Sequence, residues 1–134
     1  MSTRTPTRVL AATVGLATAG ALLVAAPTST AAGRADNVVT IKAEGTDLSG
    51  VVKSKRKACK KDRTVYLYLQ RGTRGGGNDE LFATDTTELD DGVGEWETGN
   101  LGFEGKFYAK IRRTATCKAA VSRTVRAVRD DNDD

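Results

Sequence analysis

The chain of 134 residues has no histidine, and that absence removes more chemistry than any single residue adds. Serine and cysteine nucleophiles lose their usual imidazole base. The two cysteines, Cys59 and Cys117, cannot complete a zinc site without unusual partners. Aromatic residues are few, so a small apolar core is expected to need a covalent staple. The run Gly75-Gly76-Gly77 lacks the following Gly-Lys-Ser/Thr of a phosphate loop and any strand-to-helix setting, and reads as a mobile hairpin tip. No segment carries a convincing amphipathic helix. Ala119 to Arg129 has some helical propensity, but Val121, Thr124, Val125 and Val128 are β-branched and favour a strand.

What is present begins with an address. Arg4 and Arg8 stand in a start without acids, an apolar stretch runs from Val9 to Ala26, and small residues crowd at Ser29, Thr30, Ala31 and Ala32. That is the order of a secretory signal peptide, with cleavage expected after Ala32. The stretch is rich in Ala, Gly and Thr, too weakly apolar for a good membrane anchor. No cysteine directly follows it, no paired arginines precede it, and no apolar tail closes the chain, so the mature protein is expected free or held noncovalently. Cleavage would leave 102 residues: a linker over 33–37, one domain over 38–128 and a disordered acidic tail over 129–134. In an exported chain the two cysteines are expected to form one disulfide, rather than remain free thiols or hold a metal.

Charge comes in blocks. Lys42 to Arg74 carries ten bases and three acids, Asp79 to Glu104 nine acids and no base, and Lys106 to Arg129 eight bases and no acid. Opposite charges can pair across antiparallel neighbours. They can also polarise the surface toward a charged partner.

Apolar alternation marks seven strands: Val38 to Lys42, Leu48 to Lys53, Thr64 to Gln70, Leu81 to Thr84, Glu95 to Thr98, Lys106 to Arg112 and Val121 to Val128. Leu48 and Val52 share one face of their strand, Val65, Leu67 and Leu69 another, and Phe107, Ala109 and Ile111 a third. Tyr66, Tyr68, Tyr108, Lys110 and Arg112 fall on the opposite faces. Trp96, Val125 and Ala127 are expected inside. Glu88 to Gly94 reads as an acidic turn. Short strands with turns about every ten residues make an all-β, antiparallel, Greek-key-type sandwich of about seven strands with one disulfide.

Candidate chemistry is thin. Ser54 and Lys57 match Ser-x-x-Lys, but in a lysine-rich strand exit of a small domain, where chance explains the match. Glu88, Asp90, Asp91, Glu95 and Glu97 offer many carboxylates and no reason to choose a glycosidase pair. Asp85, Glu88, Asp90 and Asp91 are a weak candidate calcium turn, without the spacing of helix-loop-helix calcium proteins. The best binding candidate is the basic run Lys53, Lys55, Arg56, Lys57, Lys60, Lys61 and Arg63 around Cys59, with Tyr66 and Tyr68 close behind. If these residues share a face with Lys110, Arg112 and Arg113, an anionic polymer can lie along them through phosphate contacts without base reading. The plainer reading is a lysine-rich edge that keeps strands from aggregating.

The segments Val52-Lys53-Ser54, Cys59, Arg63-Thr64-Val65-Tyr66-Leu67, Thr84-Asp85, Asp91-Gly92 before Trp96, Gly105-Lys106-Phe107-Tyr108-Ala109-Lys110, Cys117 and Ser122 resemble small exported β-sandwich domains of Gram-positive bacteria, which are similar to carboxypeptidase-regulatory-like or transthyretin-like domains. The resemblance spans about Val38 to Val128. It implies a sandwich and an accessory or surface module, and carries over no catalytic residue. The expectation is a non-enzymatic, cofactor-free binding module, secreted or in the cell envelope, that meets anionic polymer. The alternatives are an accessory module whose partner is a surface protein and, third, a small hydrolase using the acidic turn.

Overall fold

The computed structural model describes residues 33–131; the expected signal segment, its cleavage site and the last three residues lie outside that range. Ten strands run in sequence as β1 (Asn37–Val39), β2 (Lys42–Glu44), β3 (Asp47–Ser54), β4 (Thr64–Leu69), β5 (Glu80–Thr86), β6 (Glu88–Asp90), β7 (Val93–Asn100), β8 (Gly105–Ile111), β9 (Ala120–Val121) and β10 (Val125–Ala127). Among the described residues a single 3-10 turn, Lys57–Cys59, sits between β3 and β4. Among the described residues no helix is long and apolar enough to cross a membrane.

The strands form two antiparallel sheets. In the first, β1 and β2 line one edge of β3, followed by β7 and then β6. In the second, β9 and β10 line one edge of β8, followed by β4 and then β5. Six of the ten strands are halves of three interrupted runs, so the seven expected strands appear as seven runs. Their order is first-second-fifth-fourth in one sheet and seventh-sixth-third-fourth in the other, the pattern of immunoglobulin-type sandwiches with a fourth run shared between sheets.

Each interruption has a local cause. Between β1 and β2, Thr40 bulges out, giving its N–H to the Val51 carbonyl and taking the Val51 N–H on its hydroxyl. The glycine beside this bulge, Gly50, is required by close approach, because a Cβ there would lie 2.0 Å from the Thr40 carbonyl oxygen and 2.8 Å from Trp96 Nε1. Between β9 and β10, Ser122 takes the Ala109 N–H on its hydroxyl at 2.8 Å and turns its side chain into the ladder. The final strand expected over Val121 to Val128 is therefore broken. Between β5 and β6, the buried Thr87 is the corner where the fourth run leaves one sheet and joins the other. The turn expected over Glu88 to Gly94 shrinks to Asp91 and Gly92, both at positive φ, because Glu88–Asp90 and Val93–Asn100 pair as a two-residue hairpin.

Alternation sets the core. Leu48 and Val52, Val65, Leu67 and Leu69, Trp96, Phe107, Ala109 and Ile111, and Val125 and Ala127 are all buried between the sheets. Each large apolar side chain buried there stabilises by about 1.5–3 kcal/mol. Tyr108 points outward yet is only 4 % exposed. The glycine loop folds over it, so the expected mobile tip is latched. Asp79 accepts the Tyr108 hydroxyl at 2.6 Å, the Gly75 N–H and the Arg71 N–H, while Arg74 donates to the Ser122 carbonyl. The expected linker 33–37 is tied down: Ala35 pairs in parallel with Cys117, and Asn37 already opens β1. Arg129 is held by Glu104 and Gly102.

Candidate functional site

Cys59 closes the 3-10 turn after β3, and Cys117 lies in the connection from β8 to β9. They form the expected disulfide, with Cα atoms 5.6 Å apart and both residues buried. The bond joins two loops at one end of the sandwich instead of crossing between the sheets in the core. Polar contacts fix the same junction. The Arg56 guanidinium donates to the carbonyls of Gly33 and Thr116, at 2.7 and 3.1 Å. Arg63 donates to the carbonyls of Cys59 and Arg112, at 3.1 and 2.7 Å.

Two basic blocks far apart in sequence thereby meet. Lys53, Lys55, Lys57 and Lys61 are exposed, and across the disulfide so are Arg112 and Arg113. Among the described residues these cations have no ion-pair partner. Lys118 is also here, but Asp36 holds it in an ion pair at 2.6 Å, and its ammonium keeps the Asp36 carboxyl below the usual carboxylate range. The remaining acids at this end are Asp62 and the hairpin tip Asp90 and Asp91, all exposed.

Three residues of the expected basic run have other duties. Arg63 is 7 % exposed and leaves the candidate surface altogether; desolvation lowers its pKa, and backbone carbonyls rather than a carboxylate satisfy it. Just before Thr64, it has the inward parity of Val65, Leu67 and Leu69. The disulfide junction needs a long donor that can bridge two carbonyls, and arginine's fork supplies one. Arg56 is partly engaged as described, and Lys60 reaches the Gly92 carbonyl at 2.8 Å. Both remain at the rim of the surface.

Gly94 seats this end on the first sheet. A Cβ at that position would lie 2.0 Å from the Lys60 carbonyl oxygen. That carbonyl accepts the Thr87 hydroxyl at 2.6 Å, and the same hydroxyl accepts the Arg63 N–H at 2.8 Å. The corner of the fourth run and the root of the basic loop are thus one hydrogen-bonded unit.

The tyrosines lie on the outer face of the second sheet, next to the cationic end. Arg112 covers the ring of Tyr66, with Cζ 4.0 Å from its centroid. Tyr68 and Tyr108 are directly opposed and stacked, centroids 5.4 Å apart and planes 12° from parallel. Lys110 is opposite Tyr66 in the register.

The acidic residues do not converge as the calcium reading requires. Asp85 accepts the Glu97 N–H on its Oδ2 at 2.8 Å, Glu88 stands opposite Glu95 on the outer face of the first sheet, and Asp91 occupies the hairpin turn. No three His, Cys, Asp or Glu side chains gather as metal ligands among the described residues. Asp85, Glu88, Glu95 and Glu97, with Lys42, Trp96 and Arg123, line an open cleft of about 990 Å³ across that sheet.

No protein-family model matches the chain, and no curated protein matches it. The condition raised from the sequence, that the Lys53 to Arg63 run lie beside Arg112 and Arg113, is met through the Cys59–Cys117 bond. Arg34, which bonds the Thr114 carbonyl at the same end, carried no signal in the sequence.

Proposed function

We propose that this protein is a non-enzymatic binding module of the cell envelope or extracellular medium that holds a linear anionic polymer at its disulfide-linked end. The observation that carries the reading is the convergence of Lys53, Lys55, Lys57 and Lys61 with Arg113 across the Cys59–Cys117 bond, exposed and without ion-pair partners among the described residues. Exposed like charges brought together repel one another, and nothing in the packing needs them. An anionic ligand turns that repulsion into affinity. The signal-like first 32 residues and the oxidised cysteine pair support an exported location. In a Gram-positive envelope the abundant polyanions are teichoic-type wall polymers.

If five cations each neutralise one phosphate, log K falls with log salt at a slope of about −4, so affinity drops about two orders of magnitude between 50 and 200 mM salt. The test is cosedimentation of the oxidised protein with purified polyglycerol phosphate wall polymer across a salt series. Wild-type binding fades steeply with salt, and the variant with Lys53, Lys55, Lys57 and Lys61 changed to Gln loses it while keeping its melting temperature. Absence of binding at low salt, or equal binding by the variant, refutes the proposal. Binding to a surface protein that survives moderate salt would instead favour an accessory protein–protein role.

A further inference from the structure

The outer face of the second sheet carries a second charged surface, contiguous with the cationic end. Its outward positions on the central strands are Tyr66 and Tyr68 on β4 and Lys106, Tyr108 and Lys110 on β8, with Arg112 just beyond the end of β8. Val121 and Arg126 complete it on β9 and β10. None of these is a carboxylate. Of the acids bordering it, Asp79 is engaged by the Tyr108 hydroxyl and two backbone N–H groups, and Glu104 accepts the Arg129 N–H. Arg126 stands opposite Lys106, and Lys110 lies two positions before Arg112, which leads into Arg113 and the disulfide loop. From Lys106 to Arg112 the extended backbone covers about 20 Å.

We infer that this face extends the cationic end into one track for a linear polymer with phosphate in its backbone, read by charge alone. The inference rests on the proposed polyanion role and adds the ligand's length and the mode of reading. Three observations favour phosphate without base recognition. Arg112 sits over Tyr66, with Cζ 4.0 Å from the ring centroid, and among the described residues it has no ion-pair partner, so its N–H fork can meet phosphate oxygens. That same contact covers one face of Tyr66. Tyr68 and Tyr108 stack on each other, and Tyr108 is buried under the glycine loop. One face of each of these rings is therefore already used within the fold, which leaves less aromatic surface for a nucleic-acid base. The bases on this face are separate from those of the 53–61 loop, so a short ligand satisfies the end alone and a long one engages both.

The test compares the oxidised wild type with a Lys106→Gln, Lys110→Gln, Arg126→Gln variant, leaving the disulfide loops intact. The probes are tripolyphosphate, long-chain inorganic polyphosphate, oligothymidylate and an abasic deoxyribose-phosphate oligomer of equal length. Long chains bind the wild type at least tenfold tighter than tripolyphosphate. The variant keeps its tripolyphosphate affinity, while its salt slope for long chains flattens by about 2, since three phosphate contacts are lost at roughly 0.7 each. Oligothymidylate and the abasic oligomer bind within threefold of each other. Equal affinity for short and long chains, an unchanged slope in the variant, or oligothymidylate binding more than tenfold tighter than the abasic oligomer overturns the inference. If no probe binds the wild type, both the track and the polyanion role fail; if every length binds alike, the track alone fails.

Discussion

Gly94→Ala should damage the fold where the cationic end is seated. The new Cβ would lie 2.0 Å from the Lys60 carbonyl oxygen, 3.0 Å from its carbon and 3.1 Å from the Thr87 Cβ. Relaxed contacts between heavy atoms lie at roughly 3.5–4.0 Å, so the Lys60 carbonyl has to retreat by more than about 1 Å. That movement breaks its bond with the fully buried Thr87 hydroxyl. One lost hydrogen bond is worth about 1 kcal/mol, and an unsatisfied buried hydroxyl adds about 1–3, giving a total of about 2–4 kcal/mol. Backbone strain adds nothing, because Gly94 is not at positive φ. In a domain of this size the melting temperature should fall by about 10–25 °C. Gly92→Ala is the control: its φ is +80° and no atom lies within 4 Å, so only left-handed strain of about 1–2 kcal/mol applies. Urea unfolding of the oxidised proteins, followed by Trp96 fluorescence, gives both values. A Gly94→Ala protein as stable as wild type, or less affected than Gly92→Ala, would refute the reasoning.

Replacing both Cys59 and Cys117 with Ala should remove about 4 kcal/mol on the chain-entropy model for a 58-residue separation, read from the same unfolding curves. Because the bond also joins the two basic loops, polymer affinity should fall further than in any single lysine variant. Arg63→Met fills the same space without donors and strands two carbonyls; a loss of about 2–4 kcal/mol is expected, and a neutral result would deny the junction its role. Lys57→Gln, at an exposed site, should change stability by less than about 0.5 kcal/mol while weakening polymer binding. Burial first, and then the Asp79 carboxylate, push the Tyr108 phenol up to about 12. Its contribution to stability is therefore complete below pH 10 and lost as pH rises through about 12. Asp79→Asn should move its absorbance titration only part of the way back toward 10, and an unmoved midpoint would contradict the contact.

Much of the fold follows from period-2 alternation. Val65, Leu67 and Leu69 against Tyr66 and Tyr68, and Phe107, Ala109 and Ile111 against Lys110 and Arg112, assign their faces directly. The interruptions were less legible. Thr40, Thr87 and Ser122 each use a hydroxyl to replace a ladder bond, and a hydroxyl residue in a strand carries no mark that distinguishes this use. The candidate site was half legible. A run of lysines is visible in any sequence, but which of its members are buried depends on partners elsewhere in the chain. Arg63 and Lys57 look alike in composition, yet only Arg63 has the Cys59 and Arg112 carbonyls within reach. The glycine loop misled for a related reason. Three consecutive glycines suggest mobility, while the restraint comes from Asp79 just after them and from Tyr108 a strand away.

The proposed role lays a linear polyanion along one end of the sandwich and the adjoining outer face of the second sheet. Amide chemical-shift mapping of the isotope-labelled, oxidised protein, titrated with long-chain polyphosphate at low salt, reads this residue by residue. Shifts are expected over residues 53–61, 112–118 and the outward positions of β8, reversed by added salt, with the acidic face of the first sheet unchanged. Shifts confined to Glu88, Glu95 and Glu97, or none anywhere at low salt, would contradict it.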